Sequence, residues 1–488
     1  RADPMVFSSH LFLFYFLPVA LLLYYATPWR GGRHLVLTLL SYLFYGWANP
    51  YFVLLMLVST LIDYLAGLAI AHGGRLRLGT LLEPLPADVP RNRSQRLWLL
   101  ASICGNLGLL GFFKYFNFAV DNWNALAGAI GFPGLEQTLR IALPLGISFY
   151  TFQSMSYTID VYRGQARALG SFVDFACYVA MFPQLVAGPI IRFSEVDDQL
   201  CTRSHTLEKF ARGTALFCLG MGKKVLLANP CGMVADAAFG AGSLAAVDAW
   251  FGLFAYGFQI YFDFSGYSDM AIGLGLMLGF MFAKNFDSPY RAESITDFWR
   301  RWHISLSTWL RDYLYIPLGG NRLGVRRTYI NLFLVMLLGG LWHGASWNFF
   351  LWGAFHGGLL AAERAAGRRG LYPWLPRHLR IAATFLLVNL GWVLFRARDL
   401  SHAMEYSRAL FGALPLQEGA ALLAGVLYRP YLVLCLSLAA LVAWAAPQSW
   451  DWTKRLTWPR VLACTGTFVA AIVAMETQGF NPFIYFIF

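Results

Sequence analysis

Apolar runs long enough to cross a bilayer recur along most of the chain, near 7–27, 35–71, 97–118, 142–159, 171–191, 213–228, 248–282, 329–363, 380–395, 422–446 and 459–475. A span needs about 20 apolar residues, so the longest runs must hold two passes each or re-enter. The pattern predicts an all-α polytopic membrane protein of roughly ten to thirteen transmembrane or re-entrant helices. The first two spans, 6–27 and 34–46, are joined by the basic loop Trp29-Arg-Gly-Gly-Arg33, and His10 near the end of the first reads as interfacial. The loop 72–96 is rich in Pro, Gly and Arg and too short for its own core, so it is a connector. Lys114 among aromatics fits a side chain snorkelling to the interface.

Polar positions interrupt the apolar pattern in a few places. The segment 143–160 interleaves Ser148, Gln153, Ser154, Ser156, Thr158 and Asp160 with apolar residues; these groups either line a polar cavity or bond neighbouring helices. Pro183, Gly188 and Pro189 break the apolar segment 182–193, which must then be buried in protein or line a cavity, as in a re-entrant segment. Asp263 and Asp269 lie six residues apart in a long apolar run, about 120° from a shared helix face, so they do not form one carboxylate pair. Helix ends or hydrogen bonds to an arginine-rich segment explain them as well as catalysis does.

The stretch 294–358 carries the most chemistry. Ser294 and Asp297 form an N-cap pattern, and Trp299, Arg300, Arg301, Trp302, Trp309 and Arg311 then suit an amphipathic helix at the membrane surface, ended by Tyr315-Ile-Pro317. His303 is thereby placed near the cytoplasmic interface, and His343, in Gly339-Gly-Leu-Trp342-His343-Gly344-Ala-Ser346-Trp-Asn348, deeper in the span beginning near Tyr329. A histidine beside glycines in an apolar run is costly to bury and allows close ligand approach, which makes His343 the candidate catalytic residue. His356 and His378 read as structural.

Composition agrees: 58% hydrophobic, 17% aromatic and 13% charged residues exclude a soluble domain, which carries about a quarter charged residues. The net charge of +12 is concentrated in two arginine clusters, Arg75 to Arg96 and Arg291 to Arg327, read as cytoplasmic loops by the positive-inside rule and not as a nucleic-acid surface. The second cluster also suits an anionic donor such as coenzyme A. The seven cysteines lack paired spacing and read as buried small hydrophobes. No metal is implied, because His303 and His343 lack a spaced third ligand. The first run is too long for a cleavable signal peptide, and Arg1-Ala-Asp-Pro4 ahead of Met5 reads as an extraneous remnant. Five of the last nine residues are aromatic, an interfacial belt or a mobile tail whose phenol can accept a group.

The segments Asp297-Phe-Trp-Arg-Arg-Trp-His303-Ile-Ser-Leu-Ser, Leu341-Trp-His343-Gly-Ala, Tyr261-Phe-Asp-Phe-Ser-Gly-Tyr-Ser-Asp-Met270 and Phe182-Pro-Gln-Leu-Val-Ala-Gly-Pro189 resemble membrane-bound O-acyltransferases, nearest the bacterial alginate O-acetyltransferase branch, with D-alanyl transfer proteins as cousins. The resemblance runs from Met5 to the C-terminus. It implies a single membrane domain, 5–488, in which helices ring a thin central tunnel open to an acyl donor from the cytoplasm and to an acceptor opposite. It also implies that His343 is the catalytic histidine and His303 its partner, with Arg300, Arg301, Trp342, Ser346 and Asn348 as donor-binding or tunnel-lining candidates. Within the C-terminal tail 480–488, Phe483-Ile-Tyr485-Phe-Ile-Phe488 resembles the aromatic tail of the D-alanylation system, making Tyr485 a candidate acyl acceptor.

The expected function is transfer of an acetyl group from a cytoplasmic thioester, acetyl-CoA, across the bacterial inner membrane toward an exported polysaccharide such as alginate. A periplasmic SGNH-type acetyltransferase or relay protein would complete the transfer. No bound cofactor is expected. A neutral imidazole is required of His343, and burial favours that form. Peptidoglycan, cellulose and teichoic acid are alternative acceptors. From other classes, a flippase would show paired broken segments in two halves, and an inactive scaffold would act without His343.

Overall fold

In the computed structural model of the chain, residues 5–77, 83–86, 88–135, 140–367, 370–416, 420–482 and 484 are described. Arg1 to Pro4 and Tyr485 lie outside them. Every regular element among the described residues is a helix. The chain divides into two compact units, one of residues 1–213 and 274–283, the other of residues 214–273 and 284–488.

In the first unit a π-wound turn, Leu11–Phe16, leads into α1 (Leu17–Ala26), followed by α2 (Arg30–Gly46), α3 (Tyr51–Ala71), α4 (Arg93–Ala129) and α5 (Ile147–Arg163). The 35–71 run thus holds two helices, as its length required. α4 begins at a capping box: Asn92 Oδ1 accepts the Gln95 amide at 2.8 Å and Gln95 Oε1 accepts the Asn92 amide at 2.9 Å, satisfying two of the donors a helix start leaves over.

The polar residues of α5 serve helix packing. Asp63 of α3 is wholly buried and accepts from Ser102 (2.5 Å) and Asn106 (2.8 Å) of α4 and from Ser154 of α5. Ser102 also meets Thr158 at 2.9 Å, and Ser59 donates to Asn106 at 2.8 Å. Each helix contributes residues four apart, hence one face. Lys114, expected to snorkel, instead donates to Ser148 at 3.1 Å.

The expected break follows: α6 (Phe172–Ala180) gives way to one turn, α7 (Phe182–Leu185), and an irregular run before α8 (Phe193–Cys201). Residues 180–191 are buried throughout, the condition under which broken backbone is tolerated at membrane depth.

The second unit takes up the chain within α9 (Leu207–Gly222). A π-turn, Lys223–Ala228, leads to α10 (Asn229–Phe239) and α11 (Ala246–Met277). The 248–282 run was expected to hold two passes or re-enter; it forms one 32-residue helix. The carboxylates that interrupt its pattern find cations and not a helix end: Asp263 pairs with Lys224 and Asp269 with Lys223, each at 2.7 Å. Lysines, not the arginine-rich segment, hold them.

Then come α12 (Ile295–Arg301), α13 (Ile304–Leu310), α14 (Val325–His343), α15 (Trp347–Ala365), α16 (Arg377–Arg396), α17 (Leu400–Leu410), α18 (Ala420–Leu427), α19 (Pro430–Ala445), α20 (Ser449–Trp452) and α21 (Trp458–Thr477). α14 and α15 are the two helices of the 329–363 run, and small residues let their backbones nearly touch. A Cβ on Gly340 would stand 2.3 Å from Phe349 O and 3.0 Å from the Gly353 backbone, the small-residue contact common between membrane helices.

Among the described residues four helices, α3, α4, α16 and α21, are long and apolar enough to cross a membrane, and α18 with α19, bent by 64°, can make a fifth. The chain is a multi-pass membrane protein.

Candidate active site

The helix expected after Ser294 starts as its cap predicts, with Ser294 Oγ accepting the Asp297 amide at 3.1 Å. It does not continue to Pro317. α12 stops at Arg301, and His303 sits in left-handed backbone at φ 43°, a conformation shared among described non-glycine residues only with Ser288. Such a residue costs about 1–2 kcal/mol and needs its surroundings to hold it.

Asn285 does the holding. Its carbonyl accepts the Ile304 amide at 2.9 Å, while its side-chain Oδ1 accepts the Ser305 amide at 3.2 Å and the Ser305 hydroxyl at 2.9 Å. The same Oδ1 lies 3.3 Å from His303 Nδ1, and Asn285 Nδ2 donates to Ser268 at 3.0 Å. This bond set assigns the imidazole proton to Nδ1 and the basic lone pair to Nε2. His303 is 1% exposed; burial pushes its imidazole down to about 3, so it is neutral near pH 7.

His343 is the last residue of α14, before the extended Gly344. Its ring meets Trp342 at 5.0 Å, Trp352 at 5.3 Å and Phe395 at 5.2 Å, all edge-on. Trp342 also reaches His303, with centroids 6.2 Å apart, so one indole touches both imidazoles. A small apolar pocket lined by His343, Ile260, Phe264, Trp302, Trp352, Trp392, Phe395 and Ile484 encloses about 10 Å³ of free space, about one water. Phe264 connects it to His303, edge-on at 4.6 Å. An imidazole in so narrow a chamber can move a proton with little competition from bulk water.

The remaining candidates lie elsewhere. Arg300 is exposed; Arg301 is tied to Asp297 at 2.8 Å and to Asp287 O at 3.3 Å. Ser346 caps α15, accepting the Phe349 amide at 3.4 Å, and the buried Asn348 donates to Ala397 O at 2.7 Å. His356 is fully buried among Trp299, Trp352 and Phe355. Sequence reasoning missed Asn285, Trp392, Phe395, Ile260 and Ile484. Only Ile484 carried a signal, as the neighbour of Tyr485 in the aromatic tail. Among the described residues no group of three or more His, Cys, Asp or Glu could hold a metal ion.

The chain has clear relatives. Residues 163–395 match the model of the membrane-bound O-acyltransferase family. The probable alginate O-acetylase AlgI of Pseudomonas putida is 45% identical over 506 residues, covering 99% of this chain and 100% of its own. The protein of that name from Pseudomonas aeruginosa is 50% identical over 83% of this chain and 75% of its own. The peptidoglycan O-acetyltransferase of Helicobacter pylori is 37% identical over 84% of this chain and 81% of its own. With relatives this similar along nearly its whole length, and with both His303 and His343 inside the matched region, this chain belongs to the membrane-bound O-acyltransferase family.

Proposed function

We propose that this acyltransferase moves an acetyl group from cytoplasmic acetyl-CoA across the bacterial inner membrane for O-acetylation of an exported polysaccharide, alginate. The observation that carries the reading is His343 in a narrow aromatic pocket that also receives Ile484, the residue before Tyr485. The similarity to alginate O-acetylases supports alginate over peptidoglycan as the final acceptor.

In this reading residues 5–488 act as one enzyme domain. Roughly ten to thirteen membrane and re-entrant helices ring a thin centre, a cytoplasmic funnel admits the thioester, and 480–488 is the tail. His343 takes the proton of the Tyr485 hydroxyl as its oxygen attacks the thioester carbonyl. The carbon–sulfur bond breaks, and the thiolate leaves with the proton His343 carried. His303, its Nδ1 proton directed at Asn285, orients the thioester. Trp342, Ser346 and Asn348 support the pocket, and Arg300 and Arg301 draw the donor's phosphates. The acetyl-tyrosine ester is then taken up by a periplasmic SGNH-type transferase, since a short covalent carrier can enter a tunnel that excludes a polymer.

Intact-protein mass spectrometry after incubation with acetyl-CoA tests the reading. The wild type should gain one acetyl group on Tyr485, His343→Ala should lose about 10²–10⁴ in rate, and Tyr485→Phe should gain none. Thioester consumption with no adduct on the tail would refute the tyrosine step; polymer acetylation surviving His343→Ala in cells would refute the catalytic role.

A further inference from the structure

We infer that Lys224, Asp263 and Asn229 form a buried clamp for residues 480–482 and 484, and that this clamp sets the register in which the C-terminal tail meets the His343 pocket. The inference rests on the reading of Tyr485 as the acceptor, and makes these three residues positioning groups for it.

Lys224 and Asp263 form an ion pair with almost no solvent access. Lys224 Nζ lies 2.7 Å from Asp263 Oδ1, with side-chain exposures of 3% and 2%. Burying two charges is costly unless their remaining donors and lone pairs are satisfied, and apolar replacements often serve stability as well. Here the remaining valences go largely to the tail. An ammonium has three donors: besides Asp263, Lys224 reaches Asn229 Oδ1 at 2.9 Å and the carbonyl of Pro482. The second carboxylate oxygen of Asp263 accepts the Ile484 amide at 2.8 Å. Asn229 Nδ2 stands 3.2 Å from both Phe480 O and Asn481 Oδ1.

The contacts therefore catch the backbone at 480, 482 and 484, every second residue. Pro482 offers only a carbonyl, and that carbonyl is bonded. A slip by two residues would place Pro482, which has no N–H, opposite the Asp263 oxygen that accepts the Ile484 amide and leave buried charge unmatched, so the register is specified by the ion pair. In the observed register Ile484 is 2% exposed and lines the pocket with His343. The chain therefore passes to Tyr485 from a backbone position held at the pocket wall.

Ile484→Pro in the full-length protein removes the amide that Asp263 accepts, together with the side chain at the pocket wall, and leaves both members of the Lys224–Asp263 pair in place. Ile484→Ala keeps the amide and serves as its control, and Lys224→Met is a second probe. Two readouts are taken: trimming of the tail by a carboxypeptidase, which needs no acyl transfer, and acetylation of the tail from acetyl-CoA by intact mass, with thioester hydrolysis recorded alongside.

The expected result is faster trimming of Ile484→Pro by about tenfold or more, and tail acetylation reduced about 10²-fold, the usual effect of misplacing a reacting group. Ile484→Ala should stay protected from trimming. A folded Ile484→Pro trimmed and acetylated at wild-type rates overturns the clamp. Failure of the acceptor reading looks different: the wild-type tail takes up no acetyl group, yet Ile484→Pro still exposes it to trimming.

Discussion

Gly340→Ala should damage this enzyme more than adding one methyl group suggests. The new Cβ would sit 2.3 Å from Phe349 O, with the Cα and N of Gly353 at 3.0 Å. Cβ contacts under 3.0 Å essentially do not occur, so the gap must widen by at least 0.7 Å. The obstructing atoms belong to the α15 backbone and cannot swing aside as a side chain would, so α14 and α15 must slide apart.

Overpacking of this kind costs about 1–3 kcal/mol. The functional cost is separate, because α14 ends in His343 and α15 carries Trp352, whose rings are 5.3 Å apart. A displacement near 1 Å at a reacting group costs about 10²-fold in rate, and 0.7 Å should cost about 10- to 10²-fold. The assay is acetyl-CoA turnover in detergent at a temperature where the variant is folded, beside its thermal unfolding. Gly358→Ala is the control, since nothing lies within 4 Å of its Cβ, and it should be neutral. A Gly340→Ala enzyme with wild-type melting and turnover would refute the claim that direct backbone contact sets the spacing.

Asn285→Ala removes the acceptor that holds the His303 break and should lower stability by about 1–3 kcal/mol, with turnover falling further than unfolding explains; a shift in melting alone would make Asn285 purely structural. Stability should also depend on His303, which lies outside the helices long and apolar enough to cross the membrane. Burial holds its folded imidazole at about 3 against 6.5, so the unfolded chain binds more protons between those values, and stability falls as pH drops below about 6.5 and is level above it. Melting temperatures at about pH 7.5 and about pH 5 should differ less for His303→Asn, which tolerates left-handed backbone; equal slopes would count against this. Asp63→Asn turns one acceptor oxygen toward the donors of Ser102, Asn106 and Ser154 into a donor and should cost about 1–3 kcal/mol. Unchanged thermal unfolding would show that the network is dispensable.

The amino-acid order by itself determined the class of protein and most of its helices. Length and apolarity marked α3, α4, α16 and α21, the cap at Ser294 placed the start of α12, and two prolines with a glycine predicted the break before Phe193. Motif chemistry singled out His303 and His343 with the Trp342 that touches both. Which groups meet was decided by the tertiary structure. Asp263 and Asp269 take adjacent lysines 39 and 46 residues upstream, and Asn285, eighteen residues before His303, bends a helix that local pattern would have continued. The pocket walls, Ile260, Trp392, Phe395 and Ile484, had no periodic signature. In water an apolar stripe marks the buried face of a helix, but in a bilayer lipid-facing and core-facing positions are both apolar. Leu462, Val469 and Val473 of α21 are exposed while Trp352 and Trp392 are 1% exposed, and hydropathy does not tell them apart. Only the packing of helices distant in sequence separates a wall of the active site from a surface for lipid.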